Sequence, residues 1–201
     1  MWQRIKVFLL RWIYRYSSAK QWRGKYREQP QSILQLPTGD GPLEARMFNG
    51  SSGADRPLIL YFHGGGWVIG DLDTHLPFCQ VLSEKTGCTV ITVDYRLAPE
   101  HPYPAAHNDA LATARWTAQH IQQLGPSNGT LIVAGDSAGA NLATCACLGL
   151  DAPTRKRVAG QVLIYPVTQH HKAYSHSFTE KGKGYVLTAD LMIWFWDTYL
   201  G

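Results

Sequence analysis

The sequence predicts an α/β fold: a doubly wound, mostly parallel sheet with helices on both faces. Four short runs are apolar throughout and rich in β-branched or aromatic residues, as in strands buried on both faces: residues 58–62, 89–93, 131–135 and 161–165. Segments with helical character lie between them, at about residues 74–86, 104–123 and 138–150. This alternation predicts parallel pairing, because parallel neighbours need a long crossover connection, usually a helix.

The composition is that of a globular domain. The chain has 201 residues, of which 45% are hydrophobic and 17% charged, enough for one sizeable core. No apolar run approaches the roughly 18 residues of a membrane span. The early apolar run at residues 7–10 is interrupted by Arg11 before it reaches the length of a signal-peptide core, so we expect a cytoplasmic protein.

The cysteine pattern does not suggest a metal site. The four cysteines lack paired ligand spacing and lie in apolar or helical surroundings, which predicts reduced core thiols: Cys79, Cys88, Cys145 and Cys147. We expect neither a metal nor another cofactor, and no nucleic-acid partner.

The first 30 residues form a basic segment with helical periodicity. They contain eight of the 19 Lys and Arg residues and one acid, Glu28, whereas the rest of the chain carries 11 basic and 14 acidic residues. Apolar residues recur three and four positions apart, which predicts an amphipathic helix: Trp2, Ile5, Leu9, Trp12 and Tyr16, flanked by Phe8 and Ile13. Two interpretations stay open. The aromatic stripe packs on the protein body and leaves a cationic face in water, or residues 2–27 adsorb to an anionic membrane surface.

Ligands of such folds bind beyond the carboxyl ends of the strands, where two turns are unusual. The first is GDSAG, residues 135–139, which closes the third predicted strand and opens a helix. A G-x-S-x-G turn in this position favours a strained serine that exposes its hydroxyl, and the glycines avoid collisions with neighbouring backbone. Ser137 is therefore the candidate nucleophile, at a helix N-terminus whose free N–H groups favour a developing anion.

The second unusual turn is HGGGW, residues 63–67, directly after the first predicted strand. Acyl transfer places negative charge on the former carbonyl oxygen, and N–H donors already aimed at that position stabilise it. Consecutive glycines bring backbone N–H groups close to the oxygen without interference from Cβ atoms. The candidate oxyanion donors are Gly64, Gly65, Gly66 and Ala138.

These two turns, together with DYRLAPEHPYPA at residues 94–105, resemble the hormone-sensitive-lipase-like group of α/β-hydrolase carboxylesterases. The resemblance runs from about residue 55 to residue 200, and GYVLTADLMIWFWDTYL at residues 184–200 is similar to part of the family's helical cap. It implies a nucleophilic Ser137, oxyanion donation by Gly65, Gly66 and Ala138, and a loop shaped by His63 and Gly64. The implied organisation is an N-terminal helix and cap segment at 1–50, a hydrolase core at 51–168, and the start of a second cap segment at 169–201.

Several neighbouring residues are expected to support the site rather than to react. Asp136 stands beside the nucleophile in GDSAG. The charged residues of DYRLAPE are expected to form a buried or half-buried network that fixes their loop, with direct substrate contact as the alternative: Asp94, Arg96 and Glu100. Another set of aromatic residues either lines an apolar pocket or packs as helix core: Trp67, Trp194, Phe195, Trp196 and Tyr199.

The general base is the missing part of this pattern. A serine of ordinary pKa needs a base and an orienting carboxylate, and in this family the order is Ser, then Asp or Glu, then His. No acid or histidine after Ser137 fits the family's context: Asp151, Glu180, Asp190, Asp197, His170, His171 and His176. We therefore expect the triad acid and histidine to lie downstream, in a C-terminal part of the fold that this chain lacks.

The resemblance implies a serine carboxylesterase that hydrolyses small apolar esters with short- to medium-length acyl groups. The ester would be its small-molecule partner, and no cofactor is implied. Two alternatives stay open: an amide-cleaving deacetylase of the same fold, and a truncated, catalytically incomplete hydrolase fragment.

Overall fold

The computed structural model describes residues 2–25, 29, 31–51, 55–173 and 176–201. The side chains of Trp2 and Gln3, and the charged residues Arg27 and Glu28 of the basic segment, lie outside the described part. The strands are β1 (Ser32–Thr38), β2 (Gly41–Phe48), β3 (Leu58–Phe62), β4 (Val90–Val93), β5 (Leu131–Asp136) and β6 (Val158–Ile164). The α-helices are α1 (Trp2–Trp22), α2 (Leu72–Thr86), α3 (Ala105–His120), α4 (Ala138–Gly149), α5 (Ala152–Arg155), α6 (His176–Lys181) and α7 (Ala189–Leu200).

All six strands form one sheet in the order β1-β2-β4-β3-β5-β6. The four strands predicted from their apolar runs, β3 to β6, pair in parallel, which confirms the predicted fold class. Phe62 at the end of β3 is in register with Gly135 near the end of β5. The segments that follow these two strands therefore leave the sheet side by side at its carboxyl edge.

The sheet also contains an antiparallel hairpin that the apolar pattern does not reveal. β1 pairs with β2, and β2 pairs with β4, both antiparallel. Leu36 and Ala45 point into the core and are fully buried, while their neighbours along each strand are more exposed. Residues 32–48 thus belong to the sheet. The predicted domain boundary between residues 50 and 51 lies between this hairpin and β4, the strand with which β2 pairs.

Helices cover both faces of the central strands. On one face, Leu58, Leu60 and Phe62 of β3 share a core with α3 and α4. On the other face, Ile59 and Tyr61 pack with Cys79 of α2. The face that α3 turns to the sheet is a stripe of alanines four residues apart, each at most 1% exposed, which lets the helix approach closely: Ala106, Ala110, Ala114 and Ala118.

The cysteine prediction is confirmed for three of the four thiols. Cys79, Cys88 and Cys147 are free and buried, whereas Cys145 is free but only partly buried. Burial raises the pKa of the Cys79 thiol to about 12. Cys79 therefore behaves as a core side chain, not as a nucleophile.

The N-terminal helix packs on the body, but through a different face from the predicted one. Val7 is buried against Val68, Ala98 and Phe195, with Leu10 and Tyr14 beside it. The predicted aromatic stripe is instead 47–68% exposed at six positions: Ile5, Phe8, Leu9, Trp12, Ile13 and Tyr16.

A polar anchor explains why the aromatic stripe of α1 faces outward. The Arg11 guanidinium donates to the carbonyl oxygens of Val68 (2.8 Å) and Ala98 (3.1 Å) and pairs with Glu100 (2.8 Å). Ser18 donates to the carbonyl of Thr74 (2.7 Å) farther along the same side of the helix. In the described ranges, no helix is both long and apolar enough to cross a bilayer.

Candidate functional site

Ser137 occupies the turn between β5 and α4 in a backbone conformation that serine rarely adopts. Its φ is +52° and its ψ is −117°, and it is partly exposed while its neighbours on both sides are buried. The serine N–H donates to the carbonyl of Ile164 (2.9 Å), and its own carbonyl accepts from Val167 N–H (3.3 Å). Backbone strain of this kind costs roughly 1–3 kcal/mol and persists only where the surroundings enforce it.

The flanking glycines are required by close packing between the two turns. A Cβ on Gly139 would lie 2.0 Å from the carbonyl oxygen of Phe62 and 2.5 Å from that of His63. A Cβ on Gly135 would lie 2.5 Å from the backbone of Gly139. The start of α4 therefore rests directly on the segment that leads into residues 64–66.

Two of the three consecutive glycines offer accessible N–H groups. Gly65 (φ +117°) and Gly66 (φ +61°) take backbone conformations that L side chains avoid, and both are partly exposed. Within the described part of the chain, no acceptor bonds to the N–H of Gly65, of Gly66 or of Ala138, the first residue of α4. These three groups are the ones left available for an oxyanion.

Gly64 differs from its two neighbours. It is buried, and its N–H, expected among the oxyanion donors, is bonded to Asp136 Oδ1 (2.9 Å). A Cβ at this position would lie 2.1 Å from Asp136 Oδ2. Gly64 therefore shapes the loop and links it to the serine turn.

Asp136 is the centre of this link. Its carboxylate is 7% exposed and accepts from the hydroxyl of Tyr61 (2.7 Å) as well as from Gly64, and the His75 Nε2 atom lies 3.5 Å away. Burial acts to raise the pKa of Asp136, but the neighbouring His75, Tyr61 and Gly64 N–H together hold it below its usual value. Neither Tyr61 nor His75 stands out in the sequence, because each meets Asp136 only through the fold.

His63 is a buried, neutral side chain. It is 0% exposed and stacks on Tyr95 (ring centroids 4.3 Å apart), whose hydroxyl donates to the His63 carbonyl. Its Nδ1 lies 2.7 Å from the carbonyl oxygen of Gly64. Burial, reinforced by His75, lowers the pKa of His63 to about 4. These contacts fit a residue that shapes the loop.

The charged residues of DYRLAPE do not form the single network that the sequence suggested. Arg96 pairs with Asp109, which is fully buried (2.7 Å), and with the exposed Asp40 (2.8 Å). Glu100 pairs with Arg11 of α1. Asp94 is exposed, and its backbone N–H donates to Glu44. The charges of Arg96 and Glu100 thus fix the loop to different elements, whereas Asp94 is held through its backbone.

Trp67 and two aromatic residues of α7, Phe195 and Tyr199, pack as core. Trp67 is 0% exposed and stacks on Tyr199 of α7, with ring centroids 4.3 Å apart and an interplanar angle of 10°. Trp196 is also close to Trp67 (4.7 Å). A Cβ on Gly66 would lie 2.3 Å from the Phe195 ring, so the ring packs directly on this glycine. Helix α7 is therefore seated on the glycine loop, while Trp194 stays partly exposed beside Lys6.

The acids and histidines after Ser137 are engaged elsewhere. His171 lies 3.3 Å from Asp197, and His176 lies 3.3 Å from Glu180. Asp151 caps α5, and Asp190 is in the first turn of α7. Among the residues with described side chains, none forms a hydrogen bond with the Ser137 hydroxyl. The same residues include no group of His, Cys, Asp or Glu side chains that could hold a metal ion.

Comparisons with known proteins agree on this architecture. A family model described as the alpha/beta hydrolase fold matches residues 59–201. The carboxylic ester hydrolase LipN of Mycobacterium tuberculosis is 39% identical over 175 residues, covering 83% of this chain and 46% of that protein. The ethyl acetate hydrolase of Pseudomonas putida is 39% identical over 182 residues, covering 86% of this chain and 56% of that protein.

A solved structure shows the same likeness in three dimensions. An esterase from Pyrobaculum calidifontis superposes with a TM-score of 0.90 at 37% identity, covering 97% of this chain and 65% of that one. The chain spans about half the length of the curated relatives it matches.

Proposed function

Because the chain belongs to the α/β-hydrolase fold family, we propose that it carries the nucleophile and the oxyanion loop of a serine carboxylesterase. The observation that carries the proposal is the strained, partly exposed Ser137 at the start of α4, next to a loop with free glycine N–H groups. The matched relatives named as ester hydrolases support it.

In the proposed reaction, the Ser137 hydroxyl attacks the ester carbonyl. The carbonyl oxygen gains negative charge and accepts from the N–H groups of Gly65, Gly66 and Ala138. Collapse of the tetrahedral intermediate expels the alcohol and leaves an acyl group on Ser137, which water then removes. Each lost N–H donor typically costs roughly 10²–10³ in rate.

Asp136 would act as a positioning residue in this scheme. It holds Gly64 N–H by hydrogen bond and is covalently next to Ser137, so it fixes the spacing between the nucleophile and the donors. Its lowered pKa keeps the acceptor ionised at neutral pH.

The proposed substrates are small, apolar esters. One relative is named for the hydrolysis of ethyl acetate, the ester of a two-carbon acid. Buried Trp67, Phe195 and Tyr199 pack as an apolar support around the glycine loop.

We also propose that the general base and its carboxylate partner do not come from the described residues of this chain. His63 is buried and neutral, and His75 faces Asp136. His170 packs against Trp196, His171 faces Asp197 and His176 faces Glu180. A catalytic base must come within about 3 Å of the serine hydroxyl, directly or through one water.

The test is hydrolysis of p-nitrophenyl acetate and of p-nitroacetanilide by the purified chain. We expect slow ester cleavage, up to about 10³-fold above buffer from the oxyanion donors alone, and no measurable anilide cleavage. Ser137→Ala should abolish the acetyl adduct that mass spectrometry detects on the peptide containing residue 137 after incubation with p-nitrophenyl acetate, whereas the exposed control Ser17→Ala should retain it. Anilide cleavage at the ester's rate would favour the deacetylase alternative, and an equal acetyl adduct on that peptide in Ser137→Ala and Ser17→Ala would contradict the assigned nucleophile.

A further inference from the structure

Helix α1 carries an exposed apolar face that its own packing does not explain. Six side chains are 47–68% exposed and lie on one side of the helix: Ile5, Phe8, Leu9, Trp12, Ile13 and Tyr16. Monomeric soluble proteins rarely expose a contiguous patch of this kind without a function for it. The six residues are spaced one, three and four apart, so they form a continuous surface over three turns.

This face is held outward by contacts on the opposite side of the helix. Val7 is 2% exposed, and Arg11 bonds to two backbone carbonyls and to Glu100. Arg15 also pairs with Asp71, and Ser18 bonds to Thr74. Turning the aromatic residues inward would break all these bonds, so the outward orientation is a fixed property of the fold.

The charge of α1 indicates which kind of partner binds the exposed apolar face. Residues 2–22 contain five basic side chains and no acid, and Arg23 and Lys25 follow directly. By helical geometry, Arg4 borders one side of the apolar face, Lys6 borders the other, and Lys20 lies at its C-terminal end, whereas Arg15 is engaged by Asp71. A second copy of the chain would bring two strongly basic helices together, which like charges disfavour. An apolar partner with negative charge at its rim fits both properties.

The aromatic pair points to a lipid surface. Trp12 and Tyr16 stack with ring centroids 5.8 Å apart, and both are more than half exposed. Trp and Tyr favour the level of the headgroups, where one part of the ring is apolar and the other is wet. We propose that the face formed by Ile5, Phe8, Leu9, Trp12, Ile13 and Tyr16 docks the protein on an anionic bilayer surface, with α1 lying in the interface plane.

Flotation of the chain with lipid vesicles tests this proposal. The vesicles are phosphatidylcholine with about equal parts phosphatidylglycerol, or phosphatidylcholine alone, each at about 0.02 M and about 0.3 M salt. We expect binding to the anionic vesicles at low salt and clearly weaker binding in the other conditions. Circular dichroism verifies that every variant is folded.

Two pairs of variants separate the apolar and the charged contributions. Phe8→Ser/Trp12→Ser should weaken binding by at least about tenfold. The control is Leu148→Ser/Val186→Ser, because these side chains are 72% and 99% exposed and lie outside α1. The control should change binding by less than about twofold. Arg4→Glu/Lys20→Glu should likewise weaken binding by at least about tenfold, and the exposed control Lys156→Glu/Arg157→Glu should have a small effect.

Three results would overturn the proposal. One is the absence of binding to anionic vesicles at low salt. Another is equal binding by the α1 variants and their controls. The third is a stable dimer in sedimentation velocity that Phe8→Ser/Trp12→Ser dissociates, since this would assign the face to a second copy. Ester hydrolysis is not measured in any of these arms, so their outcome is independent of the proposed esterase function.

Discussion

Replacing Asp136 by alanine should remove the shared acceptor of two buried donors. Tyr61 is 2% exposed, and its hydroxyl donates to Asp136 Oδ1 at 2.7 Å. Gly64 is also buried, and its N–H donates to the same oxygen at 2.9 Å. Both donors use this carboxylate as their acceptor, so its removal leaves them without the bond that they make in the fold.

The expected cost follows from these two donors. A buried donor left without a partner costs roughly 1–3 kcal/mol, so the two together cost roughly 2–6 kcal/mol of unfolding free energy. Asp136→Asn keeps a carbonyl acceptor of the same shape and should cost about half as much. Asp190→Ala is the control, because that carboxylate is exposed in the first turn of α7 and should cost about 0.3–1 kcal/mol.

Equilibrium unfolding in urea, followed by circular dichroism, measures these differences. The expected order of destabilisation is Asp136→Ala, then Asp136→Asn, then Asp190→Ala. If Asp136→Ala cost no more than Asp190→Ala, the buried link between the serine turn and the glycine loop would not be a stabilising element, and our account of Asp136 would be refuted.

Three further predictions concern the same region. Gly139→Ala should destabilise the fold by about 1–3 kcal/mol in urea unfolding, because its Cβ would meet two carbonyl oxygens, whereas Gly160→Ala has open space and should be close to neutral; equal effects would contradict the packing. Asp109→Ala leaves Arg96 without its buried partner and should cost about 3–5 kcal/mol, against less than about 1 kcal/mol for the exposed Asp40→Ala in the same assay. His63 has a pKa of about 4 in the fold and an ordinary value of 6.5, so the unfolded chain binds the proton first as pH falls. The stability that neutral His63 contributes is therefore complete above pH 6.5 and is lost between pH 6.5 and about 4, which lowers the free energy of unfolding by roughly 3 kcal/mol. In urea unfolding at both pH values, His63→Gln should show a smaller loss. The same loss in that variant would show that other groups cause it.

The central part of the fold and the two unusual turns follow from local sequence signals. The parallel strands are continuous apolar runs, because they are buried on both faces. Ser137 and the glycines at 64–66 are recognisable because the turn geometry excludes most other residues. In both cases, the structural requirement acts within a few residues of the signal.

The features that the sequence analysis missed depend on contacts between distant segments. The hairpin β1–β2 has alternating exposure and a proline in each strand, Pro37 and Pro42, so neither strand shows a continuous apolar run. The aromatic stripe of α1 suggested a core face, but Arg11 anchors the helix by its other side through partners 57 and 89 residues away. Asp136 is 75 residues from Tyr61 and 72 residues from Gly64 along the chain, so no local sequence pattern predicts either contact.

Covalent labelling of Ser137 by a p-nitrophenyl phosphonate ester tests the assigned nucleophile most directly. The phosphonate should attach to Ser137 alone, as located by peptide mass spectrometry, and Ser137→Ala should remain unlabelled. If no described residue acts as the general base, as we propose, the labelling rate should rise about tenfold per pH unit between about pH 6 and pH 9, as hydroxide generates the alkoxide. Labelling at another residue would contradict the assignment of Ser137, and a rate that levels off near the histidine pKa of about 6.5 would contradict the absence of a base.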